Sequence, residues 1–323
     1  MLAVEAIAKG GPEVLHAVER PVPEPGPGEI LIRHAAIGLN FIDTYHRSGL
    51  YPVAFPTVLG LEGAGVVERV GEGVTRFAVG DRCAYAGAPR GGYAQFAVRP
   101  ETKTVKLPDT VPFETAAAAM LKGMTAEFLV RRCYPVKAGQ TILVHAAAGG
   151  VGQILLQWAK AIGARVIATA GGAAKTAIAR KLGADHVIDY DVEDVAATVR
   201  DLTGGAGVPV AYDSVGAATF EATLKSLAKR GVFVSFGASS GPVPPFAPSR
   251  LAEAGSLFLT RPTLFDYILT PEELDDSAAA LFGMIASGKI AVDVGQTFPL
   301  AEARAAHEAL EGRRTTGSTL LIP

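Results

Sequence analysis

At 323 residues, with 49% hydrophobic and 19% charged side chains, the chain exceeds the usual single-domain size and suits two globular domains with well-buried cores. A formal net charge of -2 offers no overall attraction for a polyanion, which argues against nucleic acid as a partner. The 2 cysteines, Cys83 and Cys133, lie far apart without a partner at C-x-x-C spacing, so neither a disulfide framework nor a cysteine-rich zinc lobe can be built.

Met1-Leu-Ala-Val-Glu-Ala reaches an acidic residue at Glu5 and has neither the basic start nor the long apolar stretch of a secretory signal, so a cytoplasmic protein is expected. Pro21-Val-Pro-Glu-Pro-Gly-Pro-Gly28 holds four prolines, which withhold the backbone donors that a strand or helix needs, and reads as a loop. Short β-rich pieces such as Glu29-Ile-Leu-Ile-Arg33 and Gly65-Val-Val-Glu-Arg-Val70, set between Pro and Gly turns, predict a barrel-like β domain. From about residue 123 strands alternate with amphipathic helices, the pattern of a parallel sheet covered on both faces. Strands are predicted at 141–145, 165–169, 186–189, 210–213 and 231–236, with helices near 153–162, 175–182, 192–202 and 219–228. After Arg261 a helix around 271–287 and a final strand near 318–322 leave that alternation, and this tail is assigned to the first domain. Lys160 and Arg165 punctuate the most apolar region before it reaches the roughly 18 residues that span a bilayer, so no membrane partner is expected.

The first strand of the alternating region runs into Ala147-Ala-Gly-Gly-Val-Gly152. Dinucleotide folds place such a turn between strand and helix, because a pyrophosphate must approach backbone N–H groups and the positive end of a helix dipole. Gly149 and Gly152 fit the G-x-G-x-x-G template, while Ala147 replaces its first glycine. Context strengthens the match, since a helix follows and Arg165-Val-Ile-Ala-Thr169 supplies the second parallel strand of a βαβ unit. NAD-selective sites hold an acid at the end of that strand for the ribose 2′-hydroxyl. Thr169-Ala-Gly-Gly-Ala-Ala-Lys175 offers none, and its small residues and lysine leave room and positive charge for a 2′-phosphate. The cofactor expected is NADPH, with Lys175 as the phosphate ligand.

Further stretches include Asn40-Phe-Ile-Asp-Thr-Tyr45, Arg47-Ser-Gly-Leu-Tyr51, Gly60-Leu-Glu-Gly-Ala-Gly65, Leu121-Lys-Gly-Met-Thr125, Tyr212-Asp-Ser-Val-Gly216 and Thr260-Arg-Pro262. In their order and spacing the chain resembles, from end to end, the quinone oxidoreductase (zeta-crystallin-type) branch of the medium-chain dehydrogenase/reductase superfamily. The resemblance implies an α/β protein with a GroES-like β-rich catalytic domain, residues 1–122 and 262–323. An inserted Rossmann domain, a doubly wound parallel sheet over residues 123–261, would bind NADPH with the nicotinamide in the cleft. It also implies a homodimer or a tetramer. By position, Asn40, Tyr45, Lys122 and Thr125 should surround the nicotinamide and its ribose, and Gly149, Gly150 and Val151 the pyrophosphate. Gly171, Lys175 and Tyr190 belong with the 2′-phosphate end. Ser214, Phe236, Gly237 and Ser239 should border the adenosine and pyrophosphate. Phe258, Leu259 and Thr260 should offer backbone contacts to the nicotinamide amide, with Arg313 as a closing contact.

Zinc-dependent members of that superfamily use a Cys and a His where this chain has Asn40 and Leu61, and no metal is expected. His34, His46 and His145 are scattered and read as ordinary polar or partly buried residues, Asp43 as a loop brace and Glu62 as structural. Without a Lewis acid the acceptor must accept hydride unaided or be polarised by hydrogen-bond donors, as a quinone can. Asn40, Tyr45 and Lys122 are the candidate catalytic groups, and a role for them in cofactor binding alone stays open. Reduction of an α,β-unsaturated ketone or aldehyde, and non-catalytic NADPH binding, are the alternatives.

Overall fold

The computed structural model describes residues 1–323, which divide into two compact units, Met1–Met124 with Tyr267–Pro323, and Thr125–Asp266. The first begins with β1 (Leu2–Ala6), β2 (Leu15–Glu19) and the long β3 (Glu29–Leu39), and continues through helix α1 (Phe41–Ser48). Strands β4 (Thr57–Val58), β5 (Glu62–Val70), β6 (Arg82–Ala86), β7 (Phe96–Pro100) and β8 (Val105–Lys106) precede helix α2 (Phe113–Phe128). No strand or helix forms over 20–28, where the prolines cluster.

The second unit contains β9 (Thr141–Val144), α3 (Gly150–Ile162), β10 (Arg165–Ala170), α4 (Ala173–Lys181), β11 (His186–Asp189) and α5 (Val195–Leu202). It continues with β12 (Val208–Asp213), α6 (Phe220–Ser226), β13 (Leu227–Ser235), α7 (Ser249–Glu253) and β14 (Phe258–Thr260). The tail adds α8 (Pro271–Ala286), β15 (Val294–Pro299), α9 (Ala303–Glu311) and β16 (Ser318–Ile322) to the first unit. Thr270 caps α8 by accepting the N–H of Glu273, and Pro271 supplies the preset φ of a first helical turn.

In the first unit a seven-stranded sheet runs β15-β16-β3-β5-β6-β8, with β7 also on β3, beside a three-stranded sheet β2-β1-β4. Two apolar clusters fill it. Val4, Leu15, Ile37, Leu39, Leu59, Leu300 and Leu321 form one, and Ile30, Ile32, Val67, Phe77 and Cys83 the other. In the second unit six parallel strands run β11-β10-β9-β12-β13-β14. Leu143, Ile167, Ile188, Val199, Phe220, Leu224 and Phe233 pack one cluster against that sheet, each burial contributing about 1.5–3 kcal/mol. The expected elements omit α1, α2, α7, α9, β14 and β15, although α1 and α9 are amphipathic; α7 has 5 residues and β14 only 3 in which to show a pattern.

Three histidines of the first unit are held neutral by burial. His34 donates from Nδ1 to the Ala94 carbonyl and accepts the Tyr85 hydroxyl at Nε2, and burial lowers its pKa to about 4. Burial likewise lowers His46 to about 4, with the charge of Arg90 adding to the effect, and His307 to about 3, with Arg47 adding. Asp43 moves the other way, raised by burial to about 7. A depressed histidine contributes stability that is present above its unfolded value and lost as pH falls toward the folded one. A raised aspartate contributes stability present at low pH and lost as pH rises through its folded value. Three histidines outweigh one aspartate between about pH 4 and 6.5, so the urea midpoint should fall as pH drops from 7 to 4.5. An unchanged or higher midpoint at pH 4.5 would contradict these assignments.

Candidate active site

β3 ends at Leu39, and Asn40 follows as the N-cap of α1. Opposite it, Glu62 opens β5, in register with Gly38 of β3. A Cβ on Gly38 would fall 2.1 Å from Glu62 Oε2 and 2.3 Å from the Ala117 carbonyl of α2, so only glycine lets these three elements meet. Glu62 is fully buried, and Lys122 is 6% and Asn40 5% exposed. Glu62 Oε2 accepts from Asn40 Nδ2 at 2.8 Å and from Lys122 Nζ at 3.1 Å, while its Oε1 accepts the Leu121 N–H at 2.6 Å. The ammonium and carboxylate thus neutralise each other out of water. Removing one member of such a pair costs about 3–5 kcal/mol because the other stays buried and unpaired.

A second carboxylate fixes the backbone of the same residue. Asp43 Oδ2 accepts the Asn40 N–H and the Tyr93 hydroxyl, each at 3.0 Å. The chain of bonds continues in one direction. Arg47 Nη1 donates to His307 Nδ1 at 2.8 Å, so the neutral ring carries its proton on Nε2 and donates it to Tyr93 at 2.9 Å. Arg47 also pairs with Glu311 at 2.7 Å. Asp43 Oδ1 is buried without a hydrogen-bond partner, which fits a carboxyl pushed toward protonation by desolvation. Tyr45, 9% exposed on α1, packs edge-on against Tyr51 at 5.3 Å between ring centres. The bonded cluster therefore comprises Asn40, Glu62 and Lys122, with Tyr45 on the same helix as Asp43.

In the second unit the parallel strands point their carboxyl ends to one edge. From β9 the chain winds outward through β10 to β11 and then crosses back to β12 on the other side of β9, and doubly wound sheets bind ligands where the winding reverses in this way. At that edge Ala146 takes the left-handed conformation, φ 51°, and the Ala147 N–H bonds to the Thr169 carbonyl at 3.0 Å. The strained position lies one residue before Ala147, which explains why the missing first glycine is tolerated. Gly152 is the indispensable member, because a Cβ there would sit 2.3 Å from the Ala146 carbonyl oxygen. No side chain caps α3, whose N-terminus begins at Gly149 and Gly150, with Val151 in the first turn.

Several of the other expected cofactor residues follow the carboxyl ends of these strands. Tyr190 lies over Gly171, where a Cβ would meet its ring at 2.7 Å, and Lys175 is half-buried in the first turn of α4. β10 ends without an acid. Asp189, on the next strand, turns Oδ1 to the N–H groups of Gly172 and Asp191. Ser214 follows β12 and its carbonyl accepts the Ser239 N–H, while Phe236 N–H bonds to the Asp213 carbonyl and Gly237 packs on Ser214. Phe258, Leu259 and Thr260 form β14, the sheet's outer strand, with the first two side chains exposed. Thr125 lies one turn beyond Lys122 on α2, and Arg313 follows α9 in a left-handed conformation, φ 57°. His145 is structural. It bridges the hydroxyls of Thr169 and Thr223, and Thr223 donates to buried Asp213.

Sequence reasoning missed the local importance of Glu62, Tyr93 and His307. A charged residue among the glycines of Gly60-Leu-Glu-Gly63 was the available signal for Glu62. The donors do not fit a zinc ion at Asn40 and Leu61. Leu61 cannot ligate, both oxygens of Glu62 are engaged, and no group of three or more His, Cys, Asp or Glu could hold a metal.

The family model described as alcohol dehydrogenase GroES-like domain matches residues 26–109, and that described as zinc-binding dehydrogenase matches residues 150–282. These two parts define the class. The quinone oxidoreductase of Pseudomonas aeruginosa is 53% identical over 321 residues, covering 99% of both chains. A 2-haloacrylate reductase of a Burkholderia species is 44% identical, over 98% of this chain and 97% of its own. The crystal structure of Escherichia coli quinone oxidoreductase complexed with NADPH matches at a TM-score of 0.99 and 48% identity, covering 100% of both chains. The chain belongs to the quinone oxidoreductase (zeta-crystallin-type) branch of the medium-chain dehydrogenase/reductase superfamily.

Proposed function

We propose that this protein is an NADPH-dependent quinone reductase that works without a metal. The observation that carries the reading is the buried Asn40–Glu62–Lys122 cluster, which puts organic hydrogen-bonding groups where zinc-dependent relatives have their metal. The relatives named quinone oxidoreductase, and the NADPH complex of one of them, support the acceptor and the cofactor.

In this reading residues 123–261 are the cofactor domain, and residues 1–122 with 262–323 the catalytic one. The uncapped start of α3 at Gly149, Gly150 and Val151 takes the pyrophosphate, whose charge suits the helix dipole. Gly171, Lys175 and Tyr190 take the 2′-phosphate, and Ser214, Phe236, Gly237 and Ser239 border the adenosine side. Asn40, Tyr45, Lys122 and Thr125 receive the nicotinamide ribose and ring, with backbone groups of Phe258, Leu259 and Thr260 on the amide and Arg313 closing over it. NADPH, when bound, supplies the hydride. Asn40 presents the remaining lone pair of its Oδ1 as an acceptor, since Nδ2 is committed to Glu62 and Oδ1 also takes the Asp43 N–H in the capping box. Tyr45 and Lys122 line the reacting oxygen, where the ammonium stabilises negative charge and, with water, helps deliver a proton.

The outer strand β14 supports a homodimer. Phe258 and Leu259 are 63% and 39% exposed on an edge that a second copy would cover. No helix is long and apolar enough to cross a membrane, and both cysteines are free, which suits a cytoplasmic location. The 2-haloacrylate reductase among the relatives favours a second reading, hydride delivery to the carbon of an α,β-unsaturated carbonyl compound.

Steady-state rates with NADPH against 1,4-benzoquinone, 9,10-phenanthrenequinone and an alkenal separate the two. Quinone turnover should dominate, and fast alkenal turnover beside negligible quinone turnover would select the second reading. Lys175→Ala should weaken NADPH far more than NADH, through loss of a charge-assisted contact of roughly 1.5–3 kcal/mol. Equal weakening of both would show that Lys175 does not read the 2′-phosphate.

A further inference from the structure

We propose that Glu62 is the positioning residue that sets the hydrogen-bonding polarity of the NADPH site through Asn40 and Lys122, an inference that rests on the cofactor reading above. Glu62 is 0% exposed, so it touches neither solvent nor a ligand in bulk water and acts through its partners. Its three bonds reach the residue after β3 and two consecutive residues of α2, at 2.6–3.1 Å. An ionised carboxylate only accepts, and that fact fixes both neighbours. Asn40 must turn its amide N–H to Glu62, because the flipped amide would set two oxygens against each other. Its Oδ1, which takes the Asp43 N–H in the capping box of α1, keeps a second lone pair to accept. Lys122 spends one of its three N–H bonds on Glu62 and retains two donors.

The pair so prepared offers one acceptor and one cationic donor, the complement of a sugar hydroxyl that donates to one neighbour and accepts from another. A ribose of the cofactor has that chemistry. Asp43 reinforces the arrangement from the other side by holding the Asn40 backbone N–H. The Gly38 contact keeps α2 close enough for Leu121 and Lys122 to share the same carboxylate. Glu62 is therefore more than filler beneath a vacated metal position, since replacing it would free Asn40 to rotate and leave Lys122 without its counter-charge.

Two variants test this at Glu62. Glu62→Gln keeps the shape but turns an amide N–H toward donors, while Glu62→Asp keeps the charge and withdraws the oxygens by one methylene, about 1.5 Å. Glu62→Asp guards against the case in which Glu62→Gln fails to fold. NADPH binding is measured by fluorescence titration, with KM for NADPH and for 1,4-benzoquinone beside it, in the natural protein and in an Asn40→Ala/Lys122→Met background. In the natural background either variant should weaken NADPH by about tenfold or more and raise its KM in step, with the quinone KM at saturating NADPH moving less than about twofold. In the double-variant background the same changes at Glu62 should alter NADPH binding by less than about twofold, because the partners through which Glu62 acts are gone. Glu62→Asp leaving NADPH binding unchanged, or weakening it equally in both backgrounds, would overturn the proposal. Failure of the unaltered protein to bind NADPH would instead remove the cofactor reading on which it rests.

Discussion

The close approach of β3, β5 and α2 at Gly38 is the constraint on which the first unit's buried polar cluster depends. With no Cβ at that position, the Glu62 carboxylate and the Ala117 carbonyl can both crowd the strand, and Asn40 and Lys122 arrive within bonding distance of one carboxylate. Any larger residue at 38 would separate the elements and strand a buried ammonium, an outcome costing several kcal/mol. The β3–β5 register places Gly38 opposite Glu62, and the hydrogen bonds of the sheet hold that alignment.

The second unit meets its constraint differently. On the proposed reading a phosphate must reach backbone N–H groups, so strand β9 has to turn sharply into α3 with little side-chain bulk between them. Ala146 accepts the left-handed conformation and Gly152 the close contact. Beneath this turn, Asp213, Thr219, Thr223 and His145 form a buried hydrogen-bonded group that ties β12 and α6 to the strand end. A stiff floor of this kind lets an irregular loop hold one shape.

Much of the second unit is legible in the sequence because its regular elements are local. Apolar strands of 4 to 6 residues such as β9 and β10 flank helix α3, so periodicity and glycine placement suffice to read the βαβ unit. The first unit's hydrogen-bonded cluster is not local. Glu62 lies 60 residues from Lys122, and Tyr93 lies 214 from His307, so no window of sequence shows them together. Family resemblance brings Asn40, Tyr45 and Lys122 to notice, whereas Glu62 emerges only when its three donors are seen around it. Ala147 stands where the template has its first glycine, and the left-handed backbone conformation falls on Ala146 just before it.

The two units thus divide the work on the proposed reading, with backbone N–H groups for phosphates in one and a carboxylate-organised amide and ammonium in the other. Its central claim is that these organic groups replace a metal. The direct measurement is the rate of NADPH oxidation by 1,4-benzoquinone in protein dialysed against a zinc chelator, with metal content determined on the same sample. The account predicts an undiminished rate at metal contents far below one per chain and no gain on adding zinc. A rate lost on chelation and restored by zinc would contradict it.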